Sequence, residues 1–141
     1  MAIVTTDILG SDQVGVYLAV CGDVLFHPQD LASDITEKMS TSLEIETCSI
    51  SIGGSSLIGS LMAGTKKGLA IADIATDSDI DKLTSYGDVV VMEGGVNTAG
   101  NLIVCNSEGA ILSPAIPEDG VEIISEVFGI PAIVSSIASD D

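Results

Sequence analysis

Gln13-Val14-Gly15-Val16-Tyr17-Leu18-Ala19, Leu57-Ile58-Gly59-Ser60-Leu61-Met62-Ala63 and Thr98-Ala99-Gly100-Asn101-Leu102-Ile103-Val104 are three apolar stretches that align on a glycine. The glycines stand 44 and 41 residues apart, a spacing at which internal repetition decides the whole architecture. Each stretch runs into turn chemistry: Cys21-Gly22-Asp23, Thr65-Lys66-Lys67-Gly68 and Asn106-Ser107-Glu108-Gly109. A second apolar run follows each turn: Val24-Leu25-Phe26, Leu69-Ala70-Ile71-Ala72 and Ala110-Ile111-Leu112. Two apolar runs about a glycine-containing turn predict a β-hairpin. Proline stops the first and third runs, at His27-Pro28 and Ser113-Pro114.

A helical period with an acidic start follows each hairpin. Asp30 to Met39 puts Leu31, Ile35 and Met39 on one face. Thr76-Asp77-Ser78-Asp79 opens the second helix with a loose capping box, and Ile80 and Leu83 point inward. Pro117-Glu118-Asp119 opens the third, with Val121, Ile124 and Val127 inward and Gly129 past its end. Third strands are expected at Leu43 to Ile52, Asp88 to Met92 and Ile130 to Ile137, with Val96-Asn97 in a connection. The expected fold class is α+β: three ββαβ units, at about 1–56, 57–97 and 98–141, in one domain.

With 46% apolar residues the chain can build a core. Aromatics make up only 3%, so that core must be aliphatic. Twenty-one carboxylates against four lysines (Lys38, Lys66, Lys67, Lys82) leave a net charge of −17. Such a surface repels phosphate backbones, which disfavours bare nucleic acid, and attracts a basic protein. It equally keeps a protein soluble. Cys21, Cys48 and Cys105 lack metal or redox spacing and suit buried thiols in a reducing cytosol. Met1 to Asp7 has no secretory pattern, and the apolar runs are too short for a membrane span, so a soluble cytoplasmic protein is expected.

No catalytic or metal constellation emerges. Gly59 to Lys66 imitates a phosphate loop, but Thr65 and Lys66 stand in the reverse of the order that chemistry requires. Ile52-Gly53-Gly54-Ser55-Ser56 offers an anion nest, with a glycine-rich crossing between units as the simpler reading. His27, the only histidine, reads as a turn residue beside Pro28, not as a base for Cys21. The acidic pairs at the helix starts are explained by capping. No cofactor and no enzymatic activity are expected.

The stretches Ser51-Ile52-Gly53-Gly54-Ser55-Ser56-Leu57-Ile58-Gly59-Ser60-Leu61, Lys66-Lys67-Gly68-Leu69 and Ala99 to Pro114 resemble the archaeal/eukaryotic translation initiation factor 6 family over nearly the whole chain. The resemblance implies the first three of five units of a pentein fold, a β/α-propeller whose ring this chain leaves incomplete. It implies binding to the large ribosomal subunit, mainly through a ribosomal protein. It further implies a block on premature joining of the small subunit, and help in late subunit maturation. Carried over residue by residue, the docking positions are Gly15, Ser60 and Asn101, with Lys66 at the nearby turn. Ser60 stands where many relatives carry a basic residue. The alternatives are a guanidino-modifying enzyme of the wider superfamily, which needs a low-pKa thiol, and a structural module without its own function. Raw repeat edges also invite pairing between copies of the chain.

Overall fold

The computed structural model describes residues 3–93 and 98–136. Helical turn α1 (Val14–Tyr17) leads into strands β1 (Ala19–Cys21) and β2 (Val24–His27), helix α2 (Ser33–Leu43) and strand β3 (Glu46–Ser49). The same order continues with α3 (Ile58–Leu61), β4 (Met62–Gly64), β5 (Gly68–Ile71), α4 (Asp77–Thr84) and β6 (Asp88–Val91). It closes with α5 (Ala99–Leu102), β7 (Ile103–Cys105), β8 (Ala110–Leu112), α6 (Glu118–Phe128) and β9 (Ala132–Val134). The described residues thus form an α+β protein with three three-stranded sheets, ordered β1-β2-β3, β4-β5-β6 and β7-β8-β9. In each, an antiparallel hairpin is joined by a parallel return strand after the helix. A crossover helix is what a parallel neighbour requires.

The glycine-centred stretches correct the sequence reading. Read as strands throughout, they start instead as single helical turns. The first turn is closed by the Leu18 amide on the Val14 carbonyl at 3.1 Å, and extended backbone begins only at the end of each turn. Over seven residues an apolar turn cannot be told from a strand by periodicity. The glycines answer to packing: a Cβ on Gly59 would overlap the carbonyl oxygens of Gly15 and Leu18. One on Gly100 would overlap the Gly59 carbonyl and sit 2.9 Å from that of Met62. The three turns are therefore stacked in series, Gly59 and Gly100 each lying against the backbone of the turn before it.

Helix boundaries also shift. The first helix starts at Ser33, so Leu31 lies in its approach, and it runs through Leu43, a residue expected to begin a strand. Glu44, left-handed at φ 52°, ends it. The capping box at Thr76 is present, with the Asp79 amide donating to Thr76 Oγ1 at 3.1 Å and the Thr76 amide to Asp79 Oδ2 at 2.9 Å. Pro117 precedes the third helix, and Gly129, at φ 69°, terminates it. The third strands are shorter than expected, at Glu46–Ser49, Asp88–Val91 and Ala132–Val134. Ile137 and the Val96-Asn97 connection lie outside the described residues.

The core lies between layers. Helix α2 covers the first sheet on one side, through Leu25, Leu31, Ile35 and Met39. The other side of that sheet, with Phe26 and Cys48, packs with α4 residues Ile80 and Leu83 and with Leu69 and Ile71 of the second sheet. Tyr86 meets Phe26 edge-on at 5.2 Å between ring centroids, the favoured aromatic geometry. One layer on, Ala70 and Val90 of the second sheet pack with Val121, Ile124 and Phe128 of α6 and with Leu112 of the third sheet. Helices α4 and α6 thus each fill the space between their own sheet and the preceding one, whereas α2 packs on its own sheet alone.

Candidate functional site

The helical turns place three of the four expected docking residues on neighbouring elements. Gly15 is exposed on α1, Ser60 is buried on α3 in the middle of the stack, and Asn101 is exposed on α5. Because α3 is wedged by Gly59 against α1 and by Gly100 against α5, Ser60 presents little to a partner. Gly15 and Asn101 are the open positions.

Lys66 is not brought to them. It occupies the β4–β5 tip, beyond the end of β4 remote from α3, a separation of roughly 10 Å of strand. There it pairs with Asp23 of the β1–β2 tip at 3.1 Å, and a Cβ on Gly22 would lie 2.7 Å from the Lys66 Cα. The tips of the first two hairpins are thus stacked and bridged. Thr65, buried beside Lys66, donates through Oγ1 to the Phe128 carbonyl at 2.7 Å and accepts from the Lys67 amide at 3.3 Å. That contact ties the second hairpin to the end of α6. The sequence carried no local signal for it, since the partner lies 63 residues away.

The apparent phosphate loop is taken up internally. Gly59 packs on α1, and a Cβ on Gly64 would sit 2.7 Å from Leu69 Cδ2. The Gly53-Gly54 nest also has an internal occupant. Both residues have positive φ within the turn closed by Ile52 and Ser55, and the Gly53 amide donates to Asp79 Oδ2 at 2.8 Å. Desolvation pushes the Asp79 pKa up, but the amides of Gly53 and Thr76, the Thr76 hydroxyl and the Lys82 charge outweigh it. The carboxyl is held below its ordinary range. The nest anchors α4 to the end of the first unit's chain, which is the crossing role expected of the glycines.

The Cys21 and Cys105 thiols are dampened. Burial, with the neighbouring Cys105 thiolate second, pushes Cys21 up to about 12. Burial also raises Cys105, with a backbone hydrogen bond from Gly64 opposing it; the Cys105 thiol lies 3.3 Å from the Gly64 carbonyl oxygen. The buried His27 holds its Nδ1 2.8 Å from the Pro28 carbonyl oxygen. Among the described residues, no group of three His, Cys, Asp or Glu side chains is arranged to hold a metal ion, and no helix is long and apolar enough to cross a membrane.

This is an α+β protein of stacked three-stranded mixed sheets, with its open residues on helical turns and hairpin tips. The chain belongs to the eIF-6 family, whose model matches residues 3–141. It is similar to translation initiation factor 6 of Methanospirillum hungatei, at 32% identity over 89% of this chain and 57% of that protein. It is also similar to the factors of that name from Methanoculleus marisnigri (33%; 92% and 59%) and Methanothermobacter thermautotrophicus (32%; 92% and 59%). The chain spans just under three-fifths of the length of these curated relatives.

Proposed function

We propose that the chain is a translation factor that docks on the large ribosomal subunit and blocks premature joining of the small subunit, with a part in subunit maturation. Family membership carries this reading, since the matching relatives are named translation initiation factor 6. The three sheets with one connectivity and the serial stacking of Gly15, Gly59 and Gly100 support three units of a pentein-like ring. Docking is assigned to the open edge of the helical turns, with Gly15 and Asn101 in contact and Ser60 supporting them from beneath. Lys66 belongs to a separate tip. A net charge of −17 suits a basic ribosomal protein as the partner and speeds the encounter at low ionic strength. Nucleic acid alone is not the target, and the setting is the cytoplasm.

The guanidino-modifying alternative needs a nucleophile with a lowered pKa. Cys21 and Cys105 are shifted the other way.

Co-sedimentation of the chain with archaeal large subunits tests the proposal. Co-migration at low salt that weakens as salt rises is expected, with Asn101→Glu reducing it about tenfold and Lys66→Ala much less. No co-migration at low salt removes ribosome docking from consideration.

A further inference from the structure

Two lysines hold the same place in the fold and make the same bond. Lys38 and Lys82 each stand six residues after a helix N-cap, Ala32 and Thr76, and 23 residues after an anchor glycine. Lys38 Nζ donates to the Thr5 carbonyl at 3.0 Å, and Lys82 Nζ donates to the Ser49 carbonyl. In both cases the acceptor lies 33 residues before the lysine. Ser49 ends β3, so the second of these clamps holds α4 to the free edge of the first sheet.

The junction between the second sheet and α6 has the acceptor but not the lysine. Six residues after Pro117, the N-cap of α6, stands Ile123. The matching acceptor is the Val91 carbonyl. Val91 pairs with Ile71 as Ser49 pairs with His27, and both partners stand 12 residues after their anchor glycines. The Asp88 and Met92 amides donate to the Lys67 and Ile71 carbonyls. Val89 and Val91, which alternate with them along β6, therefore turn their N–H and C=O groups to the open side. Among the described residues nothing donates to the Val91 carbonyl.

A groove of about 680 Å³ lies there, between β6 and α6. Val90, Ile116 and Ile124 give it an apolar floor, Ile123 lies along it at 47% exposure, and the exposed Glu93 and Asp119 border it. No cation of the chain serves it. Lys66 and Lys67, the two lysines outside the clamps, belong to the β4–β5 tip at the Asp88 end of β6, roughly 10 Å of strand from Val91. An unpaired edge carbonyl, an apolar trough and two carboxylates suit an ammonium on an aliphatic stem, carried by a backbone that can pair with Val89 and Val91. We propose that this groove docks an extended segment of a basic protein partner along the free edge of β6, one of its lysines donating to the Val91 carbonyl as Lys82 does to that of Ser49. Backbone pairing supplies the register, the lysine stem lies in the trough, and Glu93 and Asp119 complement the charge. The test contains no ribosomal component, so its failure leaves the docking reading of Gly15 and Asn101 untouched.

Amide NMR titration of the full chain with acetyl-Thr-Val-Lys-Val-Thr-amide tests it, to about 2 mM because so small a contact binds weakly. Saturable shifts at the amides of Val89, Val91, Glu93 and Ile123 are expected, with a glutamine in place of the peptide's lysine weakening binding about tenfold. Ile123→Lys supplies the clamp from within and should weaken binding about tenfold or more, and Glu93→Gln about threefold. Ile111→Lys makes the same charge change on the exposed face of the third sheet and should leave binding within about twofold. Absence of saturable shifts at these amides overturns the proposal, as does equal binding of the glutamine peptide. Equal loss with Ile111→Lys also overturns it, by reducing the effect to net charge. So does spermidine binding as tightly as the peptide, which would leave the strand edge without a part.

Discussion

The first and third sheets have the same strand order, the same pairing directions and a row of apolar residues (Ala19, Phe26 and Cys48; Val104, Ile111 and Ile133), yet one row is sealed and the other faces solvent. What separates them is the next layer. The Phe26 row has α4 and the second sheet against it, whereas the Ile111 row has no helix layer among the described residues. Side-chain hydrophobicity therefore does not set burial here. Position in the stack does. An aliphatic row on a small sheet is a surface until another element arrives, and removing that surface from water, at about 25 cal/mol per Å², is what makes each layer hold the next.

Substitutions at the glycines of the stack should break that contrast most sharply. Gly59→Ala forces a Cβ into the carbonyls of Gly15 and Leu18 and should cost roughly 3 kcal/mol or more in urea unfolding. Gly15→Ala meets open space and should be neutral or stabilising by less than about 1 kcal/mol, as Ala is the better helix former. Equal effects at both positions would end the serial-stacking account. Within the rows, Phe26→Ala should cost about 3–5 kcal/mol and Ile111→Ala only about 1 kcal/mol.

The thiols at the ends of β1 and β7 sharpen the comparison further. Native-state alkylation at pH 8 should modify Cys105 about tenfold or more faster than Cys21, because both burial and thiolate fraction favour it. Cys21 has its folded pKa raised from 9.0 to about 12, so its contribution is complete below the unfolded value. That contribution is lost as pH climbs from 9 toward 12. Cys21→Ala should flatten the alkaline limb of the unfolding profile, and an unchanged limb would assign it elsewhere.

The cover of the first sheet can be loosened at its cap. Thr76→Ala removes the hydroxyl that receives the Asp79 amide and should cost about 1 kcal/mol by thermal melts. The Asp79 carboxylate, with its folded pKa below 3.8, contributes fully above the unfolded value and loses that contribution as pH falls through the folded one. The difference between wild type and Asp79→Asn should accordingly shrink toward pH 2. The smallest expected effect is at the hairpin tips. The Lys66–Asp23 pair is exposed on both sides, so Lys66→Ala should change stability by no more than about 0.5 kcal/mol, and by nothing measurable in 1 M salt.

Much of this arrangement could be read before the structure because its causes are local. Thr76 and Asp79 sit within one turn of each other, Pro117 and Gly129 bracket α6, and the hairpin turns carry their own glycines. The helical turns at Gly15, Gly59 and Gly100 read as strands from sequence because the reason for each later glycine is a carbonyl more than forty residues back in the chain. Thr65 on the Phe128 carbonyl and Asp79 on the Gly53 amide were invisible for the same reason. Of the proposed docking residues, Gly15 is itself an anchor glycine, and Ser60 and Asn101 each follow one. Nothing in that pattern showed that Ser60 would be buried or that Lys66 would point from the opposite end of its strand.

Local spacing of apolar, turn and capping residues thus settled the α+β class and the order of hairpin, longer helix and return strand, while the resemblance of particular stretches pointed to the family. Packing alone decided which glycines are indispensable, which apolar row is core and which is surface, and which candidate side chains share a face. Those outcomes depend on which layer lies against which, a relation between segments far apart in the chain that no window of residues contains.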